Sequence, residues 1–145
     1  MKPIAEVYPD CRTVSSLTDD RYFDYPTNYQ PMLESLEGDI IAQADQVDYS
    51  GDSLVLYSKG ITFGFLSFGW GSCSGCDSLQ ACCSYTDIDK LRTRLKDGIQ
   101  WKTLDEMLNF LRNHDWEGSF INANLAEDFK KQARTALVAL KEKVT

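Results

Sequence analysis

Proline is confined to positions 3, 9, 26 and 31 of this 145-residue chain, and histidine occurs once, at 114. No apolar run approaches the roughly 18 residues that a membrane-crossing helix needs. No apolar segment follows Lys2, so residues 1–10 do not read as a secretory signal. Basic residues are scarce at the front. Residues 1–85 hold 12 Asp/Glu against 4 Lys/Arg, a net of −8, whereas residues 86–145 hold 10 against 11, a net of +1. A front half of that sign repels nucleic-acid phosphates and attracts basic surfaces. The expectation is therefore a soluble cytoplasmic protein with no membrane partner and no direct nucleic-acid partner. In a reducing cytoplasm its five cysteines stay thiols or metal ligands.

With 43% hydrophobic and 26% charged residues the composition is that of a globular chain. The length suits a single domain, 1–145, able to bury a core without a metal or disulfide staple. Within it, residues 1–30 read as an irregular acidic lead, of which about the first 25 add little to the core, 31–85 as a helix, strands and a cysteine loop, and 86–145 as helices. The lead holds all but one of the prolines, interleaved with Tyr and Asp. A short helix is expected over 31–37, ended by Gly38.

Three strands follow. Residues 39–49 form the first, although the Ile40-Ile41 pair breaks the alternation and leaves helix open. Residues 53–58 form the second, and Lys59-Gly60 reads as a tight turn into the third, 61–68. There Ile61, Phe63 and Phe65 face one way and Leu66 and Phe68 the other, which marks a central strand buried on both faces.

The back half is periodic. Thr86 opens a helix with Ile88, Leu91 and Leu95 on one face, closed by Gly98. Thr103 opens another, with Glu106 completing a capping box and Leu104, Met107, Leu108 and Leu111 as its stripe. A last helix, 125–141, aligns Leu125, Phe129, Ala133, Ala136, Leu137 and Leu140 to pack on the sheet. The fold class that results is α+β, a three-stranded antiparallel meander packed with C-terminal helices.

The most distinctive segment is Gly69-Trp70-Gly71-Ser72-Cys73-Ser74-Gly75-Cys76-Asp77, continuing to Cys82-Cys83 with the spacing C-x2-C-x5-C-C. Two thiolates at that bite suit tetrahedral zinc, with Cys82 or Cys83 as third ligand and Cys11 or His114 as fourth. The zinc set is then Cys73, Cys76, Cys82 and His114. A Trp and a C-x2-C before a helix also look superficially like thioredoxin. However, that family sets a cis-proline downstream against its thiols, and proline ends here at Pro31. The glycines match neither phosphate-loop spacing, and the P-loop lysine is missing. The competing reading is structural. Asp77 opens a short helix with Gln80 in a capping-box-like arrangement, and Leu79, Cys82 and Cys83 make its buried face.

His114 lies beside Asp115 and Glu117, after a helix, where an imidazole most often answers the helix dipole. No spacing marks it as partner to a cysteine nucleophile. Asp19-Asp20 and the pair Asp45 and Asp48 read as solvated surface.

The stretch 49–118 resembles a group of small uncharacterised proteins from bacteriophages and bacteria. The matching residues are Phe68 to Asp77 with Leu79, and then His114-Asp115-Trp116-Glu117-Gly118. The resemblance carries no activity and transfers no catalytic residue. It implies an accessory protein, viral in context and acting in the cytoplasm of a host cell. The expected function is accordingly non-enzymatic, with no catalytic residues and no cofactor. The protein is expected to bind and modulate or inhibit a host protein with a basic surface, a class that includes proteins that bind nucleic acid. The contact residues are Asp19, Asp20, Tyr22, Phe23, Asp24 and Tyr25, with Trp70 and Trp116. The alternatives are a zinc-binding domain working through the cysteine loop, and a thiol-redox enzyme.

Overall fold

A computed structural model describes residues 1–11, 26–46, 51–71, 77–116 and 122–144. They form helices α1 (Ile4–Val7) and α2 (Gln30–Glu34), strands β1 (Asp39–Asp45), β2 (Gly51–Lys59) and β3 (Thr62–Trp70), helix α3 (Tyr85–Asp97), strand β4 (Gln100–Lys102), and helices α4 (Leu104–Asn113) and α5 (Ala123–Val144). The class is α+β. The sheet has four strands rather than three, in the order β1-β2-β3-β4. The chain divides into two compact units, one of residues 1–37 and 70–97, the other of residues 38–69 and 98–145.

The second unit holds the sheet and the long helices. Strand β1 pairs antiparallel with β2, and its register slips between Ile40 and Ala42. That bulge accounts for the broken alternation at Ile40-Ile41. Past it, Ala42 and Ala44 point inward on an edge strand. The expected strand 39–49 stops at Asp45. A two-residue loop, Gly60-Ile61, joins β2 to β3, with Gly60 at φ 60. Ile61 was expected in the strand and inward-facing; instead it sits in the turn, 88% exposed.

Strand β4 was not legible as a strand, being three residues long. It pairs antiparallel with β3, with Gly64 opposite Trp101. A methyl group at Gly64 would run into Ile99 and the Trp101 ring, so only glycine admits that ring.

On one face of the sheet Leu54, Leu56, Phe63 and Phe65 pack with Met107 and Leu111 of α4 and with Leu125, Phe129, Ala133 and Leu137 of α5. These helical positions are those the periodicity picked out. Ala136 and Leu140 are only partly buried. On the other face Val55, Tyr57 and Leu66 are also buried, so the central strands are apolar on both sides as expected. Thr103 caps α4 with the full capping box to Glu106. The side chain of Asn122 accepts from the Asn124 and Leu125 N–H groups and opens α5 two residues earlier than expected.

In the first unit the lead is not peripheral. Tyr8 and Cys11 are buried. The Tyr8 hydroxyl donates to the Asn28 carbonyl at 2.7 Å, and the Tyr8 carbonyl accepts from the Tyr85 hydroxyl at 2.7 Å. Arg92 of α3, itself buried, donates to the Lys2 carbonyl at 2.6 Å and pairs with Asp89 at 2.8 Å. These bonds correct the expectation that the N-terminal residues add little. Helix α2 spans Gln30–Glu34 rather than 31–37, and Gly38 adopts φ 87 just before β1. Helix α3 is opened by Ser84 rather than Thr86, since the Ser84 hydroxyl accepts from the Asp87 N–H. Its inward face is Ile88, Leu91 and Leu95, as the spacing required, with Arg92 added.

Candidate functional site: the cysteine loop and its carboxylate clamp

Asp77 is buried, and its carboxylate is saturated with donors. One oxygen accepts from the Tyr29 hydroxyl at 2.9 Å and from the Leu79 and Gln80 N–H groups at 2.8 and 3.2 Å. The other accepts from the Gly71 N–H at 2.8 Å. Gln80 returns a bond from its amide to the Gly71 carbonyl at 3.0 Å. Gly71 and Asp77 bracket Ser72, Cys73, Ser74, Gly75 and Cys76, so the two ends of the cysteine loop are fastened to one buried carboxylate. Four donors at one carboxylate are enough to hold a charge away from water.

The expected helix from Asp77 is one turn, held by bonds from the Ala81 N–H to the Asp77 carbonyl and from the Cys82 N–H to the Leu79 carbonyl. Asp77 spends its side chain on the turn itself, in the local manner open to aspartate, and the chain then extends to Ser84. Tyr29 was not anticipated here. It lies 48 residues away, and no local pattern announces it. The Tyr29 hydroxyl, in turn, accepts from the Leu79 N–H at 3.2 Å, which lowers its pKa, but burial first and then the adjacent carboxylate outweigh that bond and raise it.

Cys73 and Cys76, the first half of the expected zinc set, lie outside the described residues. Cys82 is buried, with its thiol donating to the Ser78 carbonyl at 3.4 Å. Burial, and then the Asp87 carboxylate, push that thiol up to about 11. The thiol is therefore neutral at physiological pH, which makes it a weak nucleophile. Cys83, expected on the same buried face, is exposed, because the chain has left the helical turn by that point.

His114 belongs to the second unit, whereas Cys82 belongs to the first. It caps the C-terminus of α4 and is packed among aromatic rings, 4.7 Å from both Phe110 and Trp116 by centroid. Among the described residues no three of His, Cys, Asp and Glu are grouped to hold a metal ion.

Of the expected contact residues, Asp19, Asp20, Tyr22, Phe23, Asp24 and Tyr25 lie outside the described residues. Trp70 ends β3 half-buried. Trp116 is a core residue, not a surface one. Its ring packs on Phe65 and Phe129, and its indole N–H donates to the Leu111 carbonyl. An amphipathic ring next to charged residues reads as a contact surface in one dimension, but the turn after α4 folds it inward.

The raised Cys82 thiol sets an alkaline limit on stability. The unfolded chain ionises this group near 9 and the folded chain only near 11. The stabilisation is present in full below pH 9 and is lost as pH rises toward 11. Tyr8, Tyr29 and Tyr57 are raised by burial and add with the same sign at higher pH. Urea midpoints should therefore fall across pH 9–11, and Cys82→Ala should flatten the first part of that fall. Identical slopes in the two proteins would count against a buried neutral thiol.

No described helix is long and apolar enough to cross a membrane. Compared with protein-family models, curated proteins and solved structures, the chain matches none of them.

Proposed function

We propose that this protein is an acidic binding module that docks on the basic surface of a partner protein and modulates or inhibits it. The resemblance of residues 68–79 and 114–118 to small bacteriophage and bacterial proteins supports a host protein as that partner. One observation carries the reading. Of the described acidic residues in 1–85, Asp77 alone is buried. Glu6, Asp10, Glu34, Asp39 and Asp45 are exposed. These five carboxylates face solvent, where such charge steers a cationic partner and raises the association rate.

In this reading Asp19, Asp20 and Asp24 are the contact carboxylates, and Tyr22, Phe23 and Tyr25 supply area at modest entropic cost. The clamp at Asp77 favours a second reading, in which the fastened loop is itself the working surface and Cys73 and Cys76 hold zinc.

The test is binding kinetics against a basic partner recovered from host lysate, at low and high salt. Reversing Asp19, Asp20 and Asp24 to lysine should slow association more than it speeds dissociation, and wild-type affinity should fall as salt rises. Affinity indifferent to salt and to the reversals would sink the acidic-surface reading. About one zinc per chain surviving dialysis, and released by Cys73→Ser, would put the loop in its place.

A further inference from the structure

The second unit carries a groove of the opposite sign. Between the end of α4 and the first half of α5 lies a recess of about 660 Å³ whose walls present Arg112, Lys130, Lys131 and Arg134. Its two acidic residues, Glu127 and Asp128, offset part of that charge within the groove. Glu127 pairs with Lys130 at 2.6 Å, and Asp128 accepts from the Gln132 amide at 3.2 Å. The side chains of Arg112, Lys131 and Arg134 are exposed, and their charged groups form no ion pair or hydrogen bond with any of the described residues. With Glu127 paired to Lys130, three cations face one remaining carboxylate, Asp128, so the groove keeps a net positive charge, and nothing in the fold requires those cations together. On a chain of net charge −7, general solubility does not require them either.

We propose that this groove binds a small phosphorylated ligand, with Arg112, Lys131 and Arg134 taking its phosphate oxygens. Lys131 and Arg134 sit one turn apart on α5, while Arg112 faces from α4, so an anion between them is held from two sides. Guanidinium groups meet phosphate oxygens in bidentate pairs, and an ammonium adds a third, adjustable donor. Beneath them Leu111 is buried, which lowers the local dielectric and strengthens each contact. The recess lies within the roughly 300–1,000 Å³ typical of small-ligand sites, which favours a compact di- or triphosphate over an extended polymer.

The probe is inorganic pyrophosphate, titrated into isotope-labelled full-length protein while amide resonances are followed, with adenosine triphosphate and a single-stranded oligonucleotide as parallel arms. Saturable shifts confined to the Arg112, Lys131 and Arg134 region are expected. The double variant Arg112→Gln, Arg134→Gln should weaken binding by roughly tenfold or more with an unchanged thermal midpoint, because both side chains are exposed. Lys131→Gln alone should weaken it less. Absence of saturation, or equal affinity in the double variant, would overturn the proposal. So would an oligonucleotide that binds far more tightly per phosphate than pyrophosphate, since the groove would then be reading a backbone.

Discussion

Asp77→Ala should destabilise the fold by about 4 kcal/mol, read as a lowered urea midpoint at unchanged slope. The residue is buried, and removing its carboxylate leaves the N–H groups of Gly71, Leu79 and Gln80 and the Tyr29 hydroxyl without that acceptor. Each buried donor so stranded costs about 1–3 kcal/mol, and water entering the space returns part of the sum. Asp77→Asn should cost about half as much. Its oxygen can keep the three donors on one side, but its amide then faces the Gly71 N–H, donor against donor. Amide exchange at Leu79 and Gln80 should accelerate in both variants, and the cysteine loop should become the first site of proteolysis. A loss under 1 kcal/mol for Asp77→Ala would mean that the carboxylate is solvated and the clamp is not structural.

Deleting residues 1–25 should abolish cooperative unfolding of the first unit. The truncation removes buried Tyr8 and Cys11, leaves the Tyr85 hydroxyl without the Tyr8 carbonyl, and strips from Arg92 its bond to Lys2. Arg92 already has one buried nitrogen, Nε, with no partner among the described residues. Losing a second contact leaves a buried cation held by Asp89 alone, a change worth several kcal/mol against a total stability of about 5–15. Truncating one large buried aromatic side chain alone costs about 3–5 kcal/mol, so Tyr8→Ala should reproduce much of the effect. Hydrogen exchange at Ile88 and Leu91 is the measurement, because it reads this unit separately from α4 and α5. Native-like protection of those amides in the truncated chain would show that the lead is dispensable.

Much of the second unit was readable in one dimension. The capping box at Thr103 and Glu106 and the spacing of Leu125, Phe129, Ala133 and Leu137 are local codes, written within a few residues and obeyed locally. The candidate site was readable only in part. The C-x2-C loop stands out by composition, and Asp77 stands out as a turn former. That Tyr29 closes the clamp is a pairing across 48 residues that no periodicity encodes.

The sequence by itself determined the α+β class, the hairpin of β2 and β3, the inward faces of α3, α4 and α5, and the charge asymmetry between the two halves. Each follows from side-chain spacing, capping chemistry or composition, all of which act over one or two turns of chain. Tertiary structure decided the rest. It made a strand of Gln100–Lys102, too short to announce itself, because Gly64 leaves room for Trp101 across the ladder. It turned Trp116 from an expected contact residue into core, because Phe65 and Phe129 offer it apolar rings. It buried Tyr8 of an apparently loose lead, because the Asn28 carbonyl and the Tyr85 hydroxyl satisfy its polar groups there. In each case the deciding partner is distant in sequence, and burial depends on whether that partner meets the side chain's volume or its hydrogen-bonding groups.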